Sequence, residues 1–157
     1  MSRQVLRSQA IELDTFGKLA RAHQVLRREL ESEALAPRGL TMTDFEAMLH
    51  LSRAHENRLR RVDLVERMML TPSGITRLLD GLQEAGLVEN VSCDDDARVT
   101  WARLTLDGVE TLECVGETYA RRLNELFGER LTPAEVVQLT ELLGKLPGVD
   151  GGDCAAS

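Results

Sequence analysis

The chain has 157 residues, a formal net charge of −7 and 3% aromatic residues, which suits one globular domain with its own hydrophobic core. The acidic balance argues against a general polyanion binder, and the scarcity of aromatic residues argues against single-strand nucleic-acid modules, which stack bases on aromatic side chains. No stretch approaches the roughly 20 apolar residues of a membrane span, and the N-terminus lacks an apolar signal sequence. We therefore expect a cytoplasmic protein without a membrane partner.

The first part of the chain predicts two helices. Apolar residues recur at three- and four-residue intervals between residues 12 and 35, which indicates one long helix ended by Pro37 and Gly39. Thr43 and Glu46 have the T-x-x-E spacing of a capping box, so the second helix is predicted to begin at Thr43. The polar, arginine-rich segment RAHENRLRR follows as a predicted connection.

Two short helices are predicted next. Residues 62–69 suit a third helix. Thr71 can cap a fourth, and Pro72 fits its first position, where the missing N–H has no helical partner in any case. Gly86 is the expected C-terminal punctuation. The buried stripe of this fourth helix is predicted to consist of Ile75, Leu78, Leu79 and Leu82.

A β-hairpin and two further helices complete the predicted order. The runs LVENVS and VTWARLT, joined by CDDDAR, predict the hairpin, although their imperfect alternation leaves the orientation of Trp101 open. Thr105 can cap a long helix that runs to about residue 129. Thr132, Pro133 and Glu135 then have the pattern of a cap, a first-turn proline and a capping box.

This order predicts a mainly α fold with a small β-hairpin wing, in one domain over residues 1–157. Three short helices followed by a hairpin indicate a winged helix-turn-helix over residues 40–105. The helices at 8–36 and 106–147 carry apolar stripes that so small a core cannot cover. We expect these helices to dimerise with a second copy of the chain.

The fourth helix has a polar face opposite its leucine stripe. This face is formed by Ser73, Thr76, Arg77, Asp80 and Glu84, at helical spacing. In a helix-turn-helix the N-terminal turns of the second helix enter the major groove, where hydroxyls and arginine bind base edges. Gly74 would let the backbone come close. The periodicity alone is equally compatible with an ordinary solvated helix face.

The segments LTPSGITRLLDGLQEAGLVEN and DDDARVTWARLTLDG together resemble the signature of the MarR family of transcriptional regulators. The shared features are Gly86-Leu87-Val88 at the first wing strand, Asp96-x-Arg98 at the wing tip, and Leu104-Thr105 with Gly108 at the next helix. The resemblance implies a homodimer that binds a pseudo-palindromic operator in double-stranded DNA. It also implies that Arg98 inserts into the minor groove, where Asp96 orients the wing loop.

The DNA-binding residues predicted from the helix face and the resemblance are Thr71, Ser73, Gly74, Thr76, Arg77, Asp96, Arg98 and Arg61. This chain departs from the family at Gly81 and Asn90, where relatives often carry a basic residue. Residues 57–105 contain seven arginines and eight acidic residues. Phosphate anchoring is therefore expected either to be modest or to depend on a few well-placed arginines. Arg58, Arg60 and Arg61 are candidates for it, although each is equally explained as a solvated charge.

The resemblance also implies a pocket for a small aromatic or phenolic ligand between the dimerisation helices and the winged region. The residues that would line this pocket are Phe16, His23, Phe45, Met48 and Tyr119. For any one of them, an ordinary core position is the simpler explanation, and His23 in particular is expected to lie near the core. The implied function is that of a repressor released from its operator by such a ligand.

Other chemistry has weaker support in the sequence. A metal site has little support, because the sequence contains neither an H-x-x-x-H nor a C-x-x-C spacing. The acidic wing beside Cys93 disfavours its thiolate, and Cys114 is expected to be buried, which weakens a redox-sensor interpretation. No motif indicates an enzyme or a cofactor. The alternatives left open are a redox- or metal-responsive regulator and a winged-helix module that binds proteins without binding DNA.

Overall fold

The computed structural model describes residues 10–93 and 96–148, with side chains throughout except at 92–99. The helices are α1 (Ala10–Leu30), α2 (Met42–Ser52), α3 (Arg61–Met68), α4 (Pro72–Glu84), α5 (Leu106–Gly128) and α6 (Pro133–Leu143). The strands are β1 (Arg58–Arg60), β2 (Val88–Cys93) and β3 (Asp96–Leu104). The predicted fold class, mainly α with a small β wing, is confirmed. No helix in these two described ranges is long and apolar enough to cross a membrane.

The winged core consists of three short helices packed under a small antiparallel sheet. The strand order is β1-β3-β2, with Leu59 opposite Ala102 and Val88 opposite Leu104. These four side chains are buried together with apolar residues of α2, α3 and α4. Because side chains alternate across a strand, the other sheet face carries charged residues together with Val91 and Trp101. The sheet therefore has one core face and one outer face of mixed polarity.

The second helix begins one residue earlier than predicted, and its cap is different. Thr41 is the N-cap: its hydroxyl accepts from the Asp44 amide at 3.2 Å, and the Asp44 carboxylate accepts from the Thr41 amide at 2.8 Å. The predicted Thr43–Glu46 box is wrong. This cap starts the helix where Met42 and Phe45 become buried. Glu46 instead contacts Arg27 of α1 at 3.4 Å.

Strand β1 lies inside the segment predicted as a connection. Its three residues are too few to produce a readable alternation. The strand forms because β3 offers it a free edge, and Leu59 is thereby buried against the core. The long first helix ends where predicted, although its last turn is not α-helical. A π-helical turn (Glu31–Leu35) continues α1 without a break, and Gly39 then reverses the chain with φ of 70°.

Helices α1 and α6 leave apolar side chains in solvent. Ile11 and Phe16 on α1 are 73% and 71% exposed, and Val137 and Leu142 on α6 are also exposed. None of the residues of α6 is buried. The cap of this helix is nevertheless the predicted one, with both hydrogen bonds of the Thr132–Glu135 box present.

Candidate nucleic-acid interface

Helix α4 is oriented by its buried stripe. Ile75, Leu79 and Leu82 are buried, while Leu78 is half-buried. Thr71 is the N-cap, as predicted, and accepts a hydrogen bond from the Gly74 amide at 3.1 Å. Because the stripe fixes the rotation of the helix, the opposite face is held in solvent. The predicted contact residues on that face, Ser73, Thr76 and Arg77, are all exposed.

The hydroxyls at the start of α4 are ordered by local hydrogen bonds. The oxygens of Thr71 and Ser73 are 3.2 Å apart, and Thr76 donates to the carbonyl of Pro72 at 3.0 Å. The Thr76 hydroxyl therefore presents an acceptor oxygen to solvent with its own proton already engaged. A Cβ at Gly74 would lie 3.2 Å from the Thr71 hydroxyl oxygen, so glycine leaves this cap undisturbed.

Most arginines of the wing sheet are neutralised by neighbouring carboxylates. Arg58 contacts Glu56 at 2.6 Å, and Arg103 contacts Glu89 at 2.8 Å. Arg60 makes a two-point contact with Asp63, at 2.9 and 2.8 Å. The Arg60 hydrogen bond holds the pKa of Asp63 below its ordinary value. Arg58 and Arg60 are therefore already paired with carboxylates, which weakens their attraction for a DNA phosphate.

Arg61 is placed differently from Arg58 and Arg60. It is the first residue of α3, its side chain is half-buried, and its Nη2 donates to Oδ1 of Asn90 on β2 at 3.3 Å. Among the described side chains it has no carboxylate partner within 4.0 Å, and its charge stays available at the root of the wing. Asn90, noted above as a departure from the family, is thus the residue that holds Arg61. No local signal in the sequence connects these two positions.

The wing tip is described only in part. Strand β3 begins at Asp96, which is paired with Cys93, and the register shifts between Ser92 and Cys93. The side chains of Asp96 and Arg98 lie outside the described residues. Farther along β3, the guanidinium carbon of Arg58 lies 5.1 Å from the centre of the Trp101 ring, on the outer face of the sheet. This contact resolves the orientation of Trp101.

Hydrogen bonds join the residues just after α4 to the beginning of α5. The Thr105 hydroxyl donates to the Gly86 carbonyl at 2.7 Å and accepts from the Gly108 amide at 3.0 Å. The Thr105 amide donates to the Leu87 carbonyl at 3.1 Å. A Cβ on Gly108 would lie 2.1 Å from that carbonyl oxygen. The Gly-Leu-Val motif and the Leu-Thr-x-x-Gly motif therefore contact each other directly.

The five residues predicted to line a ligand pocket are placed in two groups. Phe45 and Tyr119 pack with ring centres 4.7 Å apart, and Met48 is buried in the same core. Burial raises the pKa of Tyr119, and the Glu46 carboxylate raises it further. Phe16 and His23 lie on exposed parts of α1, so the expectation that His23 lies near the core is wrong.

Cys114 on α5 is exposed, which corrects the expectation that it is buried. Its sulfur lies 2.9 Å from Nη2 of Arg38, in an open cleft of about 520 Å³. Among the residues whose positions the structure gives, no three His, Cys, Asp or Glu side chains are grouped as a metal site.

Comparison with known proteins agrees with this geometry. A family model described as "MarR family" matches residues 36–99. The chain is 36% identical over 111 residues to the HTH-type transcriptional repressor YetL of Bacillus subtilis, an alignment that covers 71% of this chain and 66% of YetL. It is also 26% identical over 135 residues to the multiple antibiotic resistance protein MarR of Salmonella typhimurium, covering 86% of this chain and 92% of that protein.

The crystal structure of AbsC, a MarR family transcriptional regulator from Streptomyces coelicolor, matches with a TM-score of 0.76 and 28% identity, covering 85% of this chain and 89% of AbsC. These relatives are transcriptional regulators and not enzymes. By its motifs, its fold and these relatives, the chain belongs to the MarR family of transcriptional regulators.

Proposed function

We propose that the protein is a homodimeric repressor that binds a pseudo-palindromic operator in double-stranded DNA. The observation that carries this proposal is the exposed face at the start of α4. There Ser73, Thr76 and Arg77 project away from a largely buried stripe, beside the three-stranded sheet that carries the wing. A helix held in this way can enter a major groove with its N-terminal turns. A mutant MarR from E. coli, whose structure complexed with operator DNA resembles this one at a TM-score of 0.75 and 27% identity, lends support.

Only a few charged side chains are placed so that they can contact DNA. Arg77 is exposed and has no ion pair with a described side chain, so it is free to bind guanine in the groove. Arg61 would anchor a phosphate at the wing root, and Arg98 would enter the minor groove. Asp96 would orient the loop that carries Arg98. Thr71 and Gly74 would hold the backbone at the start of α4 close to the DNA.

The second copy of the chain would cover the apolar faces of α1 and α6. Side chains such as Ile11 and Phe16 are unfavourable in water, and burying them against a partner recovers that free energy. Two-fold symmetry would then place two α4 helices about one turn of DNA apart. Sedimentation at micromolar concentration should give about twice the chain mass, and a monomer that binds a palindrome tightly would refute this arrangement.

The ligand would be a small aromatic acid bound near Phe45 and Tyr119. Tyr119 is half-buried and packs against the buried ring of Phe45, and the partly exposed guanidinium of Arg27 contacts the Glu46 carboxylate at 3.4 Å. That guanidinium would exchange its long contact with Glu46 for the carboxylate of the ligand. Phe16, His23 and Met48 would complete the pocket in the dimer. The probe is 4-hydroxybenzoate, which should weaken operator binding when added at millimolar concentration. Operator binding that is unchanged by the probe would refute this part of the proposal.

The test of DNA binding is fluorescence anisotropy with duplex DNA from the promoter region of its own gene, with and without competitor DNA. Affinity should fall as salt rises, because phosphate contacts release counter-ions. Inserting about five base pairs between the half-sites turns one of them to the opposite face of the duplex, so binding should be lost. Binding that is unaffected by the insertion would contradict the two-fold model. No binding above competitor would favour a protein-interaction module.

Substitutions then separate the two contacting arginines at one fixed salt concentration. Arg77→Ala should weaken binding by about 1–3 kcal/mol and relax the preference at one or two base pairs. Arg98→Ala should lower affinity most on sites with A·T-rich flanks, because a narrow minor groove attracts arginine. Arg130→Ala, at the far end of α5, removes the same charge and serves as the control. If Arg98→Ala binds every site like the wild type, the wing does not enter the groove.

A further inference from the structure

The turn between α3 and α4 holds a methionine in a backbone conformation that methionine disfavours. Met69, which follows the last residue of α3, has φ of 53° and ψ of 33°, in the left-handed region. There a Cβ crowds the following carbonyl oxygen, and glycine is the usual residue at the end of a helix. A glycine here would adopt the same turn without that crowding.

The side chain of Met69 makes no visible contribution to the fold. It is 89% exposed, more than any other large apolar side chain in the described ranges. The protein therefore tolerates both a strained backbone and an apolar side chain in water at one position. An observed backbone outlier of this kind is grounds for a functional hypothesis.

The position of Met69 connects it to the proposed DNA-binding surface. Two peptide units separate it from the N-cap Thr71, so their Cα atoms lie within about 7 Å of each other. Thr71, Ser73 and Thr76 are all exposed at this end of α4. A flexible thioether side chain reaches several ångströms beyond its own Cα and adapts to the surface that it meets. Met69 is thus placed where α4 would approach the edge of the major groove.

We propose that Met69 is an apolar DNA-contacting residue, which packs against the carbon surface of a nucleotide beside the start of α4. This inference rests on the proposed DNA-binding function. A thioether cannot bind a phosphate as lysine or arginine does. The surface it meets must therefore be apolar, either a thymine methyl group or a deoxyribose ring.

The decisive variant is Met69→Gly, because we expect it to stabilise the fold while it weakens operator binding. Removing the crowded Cβ should raise the melting temperature. Losing the apolar contact should weaken operator binding by about tenfold, as expected for partial burial of a methionine side chain. Met69→Leu, which keeps an apolar chain, should bind within about threefold of the wild type. Met69→Ser keeps the Cβ and its strain but removes the chain, so it should bind like Met69→Gly whatever glycine does to the fold.

The control is Leu106→Ala, which removes a side chain that is 84% exposed near the other end of α4. It should leave operator affinity within about twofold of the wild type. Affinity of Met69→Gly and Met69→Ser within twofold of the wild type would overturn the inference while leaving the proposed function intact. A wild-type protein that shows no specific DNA binding would overturn both.

Operators with deoxyuridine in place of thymine distinguish the two sources of apolar surface. If a thymine methyl is the contact, one such replacement should weaken wild-type binding about as much as Met69→Gly does, and should leave Met69→Gly unaffected. If the deoxyribose is the contact, no single replacement should change the difference between the wild type and Met69→Gly. Either pattern supports the inference and assigns the contacted group.

Discussion

The contact between Gly108 and the Leu87 carbonyl gives a sharp prediction, since glycine is required there for space and not for its backbone angles. A Cβ added by Gly108→Ala would lie 2.1 Å from the Leu87 oxygen and 3.2 Å from Cδ2 of Leu104. Ordinary van der Waals contact begins near 3.4 Å. The first turn of α5 must therefore move away from the end of α4 by more than an ångström.

That movement disturbs two hydrogen bonds. The bonds from Thr105 to Gly86 and Leu87, at 2.7 and 3.1 Å, would lengthen or break, and each contributes about 1 kcal/mol. Strain of this kind adds roughly 1–3 kcal/mol, while alanine in a helix returns up to about 1 kcal/mol relative to glycine. The net destabilisation is about 2–4 kcal/mol, which corresponds to a melting temperature lower by about 5–15 °C.

Thermal unfolding followed by circular dichroism measures this change. Gly81→Ala is the matched control, because a Cβ at Gly81, also inside a helix, meets nothing within 4 Å. It should leave the melting temperature unchanged or slightly higher. If Gly108→Ala melts within 2 °C of the wild type, or the control loses as much, the close contact does not constrain the junction.

Two further predictions concern the core and its pH dependence. Leu79→Ala removes a fully buried side chain from α4 and should lower the free energy of unfolding in urea by about 2–5 kcal/mol, with a smaller loss for the half-buried Leu78→Ala; equal losses would contradict the assigned stripe. Burial lowers the pKa of His50, and Arg67 and Arg53 lower it further. The unfolded chain then binds a proton more readily, and stability should fall as pH drops below 6.5 towards the folded-state pKa. His50→Gln should flatten this part of the melting-temperature profile, and identical profiles would refute the assignment.

Local chemistry was enough to predict several features of this protein. Thr71 and Pro72 open α4, and the Thr132–Glu135 box opens α6, because caps act within three or four residues and depend little on the rest of the fold. Gly86, just after the end of α4, has φ of 73°. Glycine adopts this angle without strain, so the end of the helix also follows from local sequence. The leucine stripe of α4 also follows directly from helical periodicity, and so does the exposed face that carries Arg77.

Contacts between distant segments needed the tertiary structure. The sequence pattern predicts a cap at Thr43, whereas the observed cap is Thr41, and the burial of Met42 and Phe45 accompanies this earlier start. Strand β1 exists only because β3 presents a free edge to it.

The pairing of charged side chains in the winged region likewise depends on the tertiary structure. Counting seven arginines and eight acidic residues cannot show that Arg60 is paired with Asp63 whereas Arg61 is held by Asn90. Periodicity and capping depend on neighbours along one helix. The partner of a charged side chain, or of a strand edge, depends on which segments the whole fold brings together.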